Sequence, residues 1–121
     1  MALKVTGYTS ASNAYKIVND SDSDENAEVD VIGSSGRIYA IDITNAAGTN
    51  TSYVKFKLTT GTVTVTTTEP DMMLVCGPNT SESYQFPNGL PFSQLSFWTT
   101  RNAATSDNTA PNQTTVNILC S

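Results

Sequence analysis

The sequence predicts an all-β body: a single antiparallel β-sandwich of jelly-roll or Greek-key type, with an immunoglobulin-like topology as the close competitor. Three observations predict it. Nearly every apolar run alternates with Thr, Ser or Asn, the period of a half-buried strand. No window carries an apolar stripe at helical spacing. Turn-forming Gly, Pro and Asn residues punctuate the chain at intervals suited to short sandwich strands.

The elements follow in order. Leu3, Val5 and Tyr8 alternate weakly, and residues 10–13 break that pattern before a short apolar stretch at 14–18. Residues 19–26 are acidic and turn-rich and read as an exposed loop. We therefore set residues 1–26 apart as an N-terminal arm or edge strand with an acidic loop, and assign 27–121 to the sandwich. A strand at 27–32 carries Val29 and Val31 on one face. Gly33 and Gly36 supply a tight connection. The next strand, 37–44, places Tyr39, Ile41 and Ile43 on one face and Ile38, Ala40 and Asp42 on the other.

Residues 52–58 put Val54, Phe56 and Leu58 inward and Tyr53, Lys55 and Lys57 outward. A Thr-rich strand at 62–68, with Val63 and Val65 inward, ends at Pro70. The 72–76 run is apolar on both faces, as in a strand buried on both sides or covered by a partner. A strand at 83–86 runs into a turn at 87–89. Residues 94–100 set Leu95 and Phe97 against Trp98. After a polar loop at 102–112, the last strand turns Val116, Ile118 and Cys120 inward. The total is eight or nine strands.

Bulk composition bounds the function. A chain of 121 residues fits one domain with one core. Only 14% of residues are charged, so Thr, Ser and Asn supply the wet surface. The net charge is −5, and Lys4, Lys16, Arg37, Lys55, Lys57 and Arg101 are scattered. Nucleic acid and anionic membrane are thus poor partners. No stretch has the length of a signal segment or a bilayer span, so the expected site of synthesis is a cytoplasm. There, Cys76 and Cys120 are expected reduced and buried, with a bridge open to them only after release from the cell.

Chemical equipment is sparse. Without histidine, Ser-His and Cys-His nucleophile systems are excluded. Two cysteines are too few for a Cys/His zinc site. Asp20, Asp22 and Asp24 alternate as in a calcium loop, but that loop needs Gly where Glu25 stands and Glu where Val31 stands. A solvated loop is the better reading. Asp42, Glu69, Asp71 and Glu82 offer no pair marked for glycoside chemistry. The expectation is a protein that is not an enzyme and takes no cofactor or metal.

The aromatics carry more information. Trp98 points away from the Leu95 and Phe97 side, and Tyr53 shares a face with Lys55 and Lys57. Such rings anchor interfaces or stack on sugars. The competing reading puts Trp98 at the rim of the core or beneath the 102–112 loop. The candidate interface residues are Leu3, Val5, Tyr8, Tyr53, Lys55, Lys57, Met72 and Trp98.

Several spaced packing and turn segments also carry a resemblance: Arg37 to Asn45 (RIYAIDITN), Tyr53 to Phe56 (YVKF), Glu69 to Leu74 (EPDMML), Phe86 to Phe92 (FPNGLPF) and the Thr-rich close. Over residues 37–120 the chain resembles small virion proteins of tailed bacteriophages, cyanophage-type especially. The resemblance implies a structural part of a particle: a capsid decoration or cement protein on the head surface. Its partners would be the major capsid protein and copies of itself, as in a homotrimer. Many copies on a lattice need only modest interfaces of about 800 Å² per partner. The N-terminal strand, with Leu3, Val5 and Tyr8, could pair with a neighbour's sheet edge. Two other readings stay open: a tail or fibre module binding receptor or carbohydrate through Trp98, Tyr53 and Tyr84, and a free binding domain unrelated to particles.

Overall fold

A computed structural model describes residues 2–9, 14–46 and 48–121. Among the described residues there are eight strands: β1 (Leu3–Thr9), β2 (Ala14–Asp20), β3 (Gly36–Asn45), β4 (Ser52–Lys57), β5 (Met72–Cys76), β6 (Thr80–Phe92), β7 (Ser96–Thr100) and β8 (Thr114–Cys120). One sheet has the order β1-β2-β8-β3-β6, the other β5-β4-β7, and all pairings are antiparallel. The 10–13 break lies outside the described residues.

The segment 24–31 completes the second sheet without being a full strand. It runs beside β7 through Thr99 N–H to Asp24 O (2.8 Å), a reciprocal pair between Glu28 and Phe97 (2.8 and 3.0 Å), and Val31 N–H to Leu95 O (2.9 Å). Counting that strap, the chain passes between sheets at nearly every connection, and only β1/β2 and β4/β5 are sequence neighbours within a sheet. The order β2-β8-β3-β6 facing strap-β7-β4-β5 is a jelly roll, with β1 added outside β2. Immunoglobulin topology distributes its strands differently.

The core lies between the two sheets. Val18, Ile38, Ile41, Ile43, Val116, Ile118 and Cys120 face Val54, Phe56, Leu58, Cys76, Leu95 and Phe97, all buried. The Phe56 and Phe97 rings sit 6.1 Å apart and tilted, within the favoured range for aromatic pairs. At one end, buried Asn45 ties the β5–β6 turn and the β3–β4 loop to the core. Its Nδ2 donates to Asn50 O (2.8 Å) and Gly77 O (3.1 Å).

Four expectations need correction. First, β1 is the expected edge strand, but β2 is an interior strand of the larger sheet, so residues before 27 contribute two strands to the sandwich. Second, Tyr39 does not share a face with Ile41. A bulge between Ile38 and Ala40 shifts the phase, so Ile38 and Ile41 both point inward and Tyr39 is exposed.

Third, residues 62–68 form no strand. The Thr67 and Thr68 amides both reach Thr64 O, and Thr68 Oγ1 accepts the Thr64 N–H. Threonine hydroxyls here satisfy the backbone locally in place of a ladder. The 27–32 stretch likewise makes one isolated bridge, and positive φ at Asp30 interrupts its extension. Fourth, 87–89 is not a turn that ends a strand. β6 continues, pairing Gln85 with Ala40 and Leu90 with Ile38, while 86–89 leave the ladder as an arch with Phe86 packed against the core. Arg37 Nη1 holds the arch by donating to Gly89 O (3.1 Å).

Candidate interaction surface

Alternation along β4 sends Val54 and Phe56 into the core and Tyr53, Lys55 and Lys57 to the outer face. Register then builds that face in rows. Tyr53 lies between Val75 and Thr100, and Lys55 between Met73 and Trp98. The four sequence-proposed residues Tyr53, Lys55, Lys57 and Trp98 therefore share one surface.

They do not share one exposure. The loop after β7 folds back over the β7 side of the face. Lys55 is fully buried and its Nζ donates to Ala104 O (2.8 Å). Trp98 beside it is 1% exposed, and its Nε1 has no protein acceptor. The outward direction of both side chains matches the sequence expectation; their availability to a partner does not. The sequence alternative that places Trp98 beneath the 102–112 loop agrees with this burial.

Asp107 organises that loop. Its carboxylate accepts the Asn102 N–H (3.1 Å), Asn102 Nδ2 (3.3 Å) and the Thr109 hydroxyl (2.6 Å). Burial disfavours the Lys55 ammonium and lowers its pKa, while the Asp107 charge opposes that shift. Lys57 is engaged elsewhere, 3.6 Å from Asp71, whose other oxygen accepts the Leu58 N–H (2.7 Å).

The β5 side of the same face stays open. Met73 and Val75 are 37% and 39% exposed, and Tyr53 beside them is half-buried. This strip is apolar on an outer sheet face, where a solvated strand would carry polar residues. The sequence reading named Met72, which points inward and packs against the core. The neighbouring Met73 and Val75 are the residues offered to solvent. The signal was present in the sequence as a run apolar on both faces.

Leu3, Val5 and Tyr8 lie apart from this strip, on β1. Leu3 packs against the core. Val5 shares the inward side with its partner Val18 but is 40% exposed, because the second sheet does not reach so far out. Tyr8 stands opposite Tyr15, and its side chain lies outside the described residues. The outer face of this sheet adds apolar residues that the sequence reading missed. Ile17, Leu119 and Ala40 form one row across three strands, with Tyr15 and Leu119 exposed. The next row is polar: Asn19 Nδ2 donates to Asn117 Oδ1 (2.6 Å), and the Ser83 hydroxyl to Asp42 Oδ1 (2.5 Å).

The sheet's two edges differ. β6 carries Pro87, Pro91 and the 86–89 arch, features that block pairing with another strand. β1 has neither proline nor bulge over its seven residues, and Lys4 is its one charge. Of the three rings proposed for a sugar site, Tyr53 is half-buried beside the open strip. Trp98 is covered, and the Tyr84 hydroxyl is committed to Val75 O (2.6 Å). Among the described residues no group of three or more acidic or cysteine side chains could hold a metal ion. No family model, curated protein or solved structure matches the chain.

Proposed function

We propose that the protein is a non-enzymatic structural component of a bacteriophage particle, a decoration or cement protein bound to the outer surface of the head. Its partners in this reading are the major capsid protein and further copies of itself, arranged as a trimer. The observation that carries the reading is the unguarded β1 edge of a jelly roll whose opposite edge is blocked. An edge of this kind accepts an added strand by main-chain pairing. The Tyr53, Met73 and Val75 strip supplies a second, apolar contact. Jelly rolls serve in viral shells and in lectins alike, so the surfaces and the family resemblance over residues 37–120, not the fold, favour assembly.

The test is co-sedimentation of purified chain with phage heads stripped of decoration protein. Val5→Glu in β1 and the pair Met73→Glu/Val75→Glu are compared with the wild-type chain. The expected result is saturable binding that Val5→Glu weakens at least about tenfold while the fold is retained. Binding unchanged by both variants, or no binding of the wild-type chain, counts against the reading.

A further inference from the structure

The crossing from β2 into the strap buries a carboxyl where an apolar side chain would be expected. Asp20 points to the inner side of the larger sheet, between Leu3 on β1 and Val116 on β8, and is 1% exposed. The residues after it bind three parts of the fold together. Ala2 N–H donates to Asp22 Oδ1 (3.0 Å) and fixes β1. Ser23 N–H donates to Thr114 O (2.9 Å), and its hydroxyl meets Thr99 Oγ1 (2.7 Å). Glu28 then pairs with Phe97.

The groups facing Asp20 are nearly all acidic. Asp22 follows it, its backbone N–H donating to Asp20 Oδ1 (3.2 Å), and buried Glu28 comes from the strap with Asp24 beside it. Its partners across the sheet are Leu3 on β1 and Val116 on β8, neither of them charged. Lys4, opposite Asn19, belongs to the outer side. No lysine or arginine forms an ion pair with Asp20 or Glu28 among the described residues. The amino-terminal charge offsets Asp22 and, in part, Glu28.

We propose that the 20–28 crossing is a pH-responsive strap: protonated Asp20 keeps β1 and the strap clamped over the end of the sandwich, and ionised Asp20 loosens them while the rest of the fold persists. Burial pushes the Asp20 carboxyl up to about 6, with the negative charges of Glu28 and Asp22 adding to the effect. The Asp22 N–H bond to Asp20 Oδ1 acts the other way, favouring the ionised carboxyl, and burial outweighs it. Loss of that proton leaves a buried anion between Leu3 and Val116, opposed by the Glu28 charge, and opening of β1 and the strap hydrates it. This inference is independent of the particle reading, since it concerns the isolated chain.

Amide exchange and carboxyl NMR titration on the purified chain test it. The Ser23, Glu28 and Val31 amides should lose protection by about tenfold or more between pH 5 and pH 8, relative to amides in β3 and β8. The loss should track the Asp20 titration. In Asp20→Asn the same amides should hold constant protection. Glu28→Gln, which removes a neighbouring anion, should move the transition to lower pH and serves if Asp20→Asn does not fold. Equal protection at both pH values in the wild-type chain overturns the proposal. So does an unchanged loss in Asp20→Asn, or a midpoint unmoved in Glu28→Gln.

Discussion

Lys55 and Trp98 are cross-strand partners on the outer face of β4 and β7, and both are buried although neither faces the core. A charged side chain and the chain's only tryptophan thus lie on a layer that the fold seals with the loop after β7. The hydrogen bond from Lys55 Nζ to Ala104 O ties the sheet to that loop.

That arrangement makes Trp98 a reporter of the loop. The native chain should show blue-shifted tryptophan emission and weak quenching by acrylamide. Asp107→Ala removes the acceptor of three loop hydrogen bonds and should raise the quenching constant about twofold or more, at a cost of about 1–2 kcal/mol in stability. Unchanged quenching would mean that the loop is held by other contacts.

Lys55 itself should be replaceable by an apolar residue of similar length. Its aliphatic stem fills space, while its ammonium is desolvated with one protein acceptor. Lys55→Met should stay within about 1 kcal/mol of the wild-type chain. Lys55→Ala should lose about 2–4 kcal/mol by opening a cavity. Urea denaturation of both variants checks the contrast, and equal losses would point to the hydrogen bond as the main contribution.

These two residues also mark the boundary of what the sequence made legible. The alternation of β4, the inward side of β8 and the two-layer architecture are local consequences of period two, and each could be read along the chain. The direction in which Lys55 and Trp98 point was equally readable. Their burial was not, because a loop more than forty residues beyond Lys55 provides the cover. The bulge at Ile38 and Ala40 escaped for a related reason: its cause is pairing with β6 and β8, which alternation within β3 does not encode. Residues 62–68 have β-branched side chains throughout their apolar positions, yet form a local turn, since propensity cannot supply a partner strand. On the surface, the run of apolar residues in β5 was visible, but only the register decides that Met73 and Val75, and not Met72, face out.

Gly36 marks a close approach between β3 and the end of the chain. A Cβ there would stand 2.5 Å from Ser121 O and 2.9 Å from the Phe92 ring. Gly36→Ala should destabilise the fold by about 1–3 kcal/mol, read as a lower urea midpoint with an unchanged m-value. Removing Ser121 from the variant should recover part of that loss.

The pH dependence of stability follows from Asp20. Its carboxyl titrates at about 6 in the fold against an ordinary 3.8, so between these values the native state holds the extra proton. Stability therefore falls as pH rises from about 4 to about 6 and levels off above that. Burial raises Glu28 as well, which acts in the same direction. Asp20→Asn should flatten this window and be more stable than the wild-type chain at pH 7.5 by about 1–2 kcal/mol. A profile that rises with pH through the same window would contradict the assignment.

Both cysteines are buried and free, and burial pushes the Cys120 thiol above its ordinary range. Alkylation at pH 8 should be slow in the native chain and rapid for both thiols in denaturant. Fast native labelling of Cys120 would show that the β2–β8–β3 region opens readily.

The proposed assembly onto a particle would fix how many copies each virion holds. Its most direct test is the number of copies in purified virions, counted by quantitative mass spectrometry against the major capsid protein. The expected result is a fixed ratio set by the lattice, with the chain recovered from intact heads. Recovery only as free monomer in the lysate, with none on particles, would contradict it.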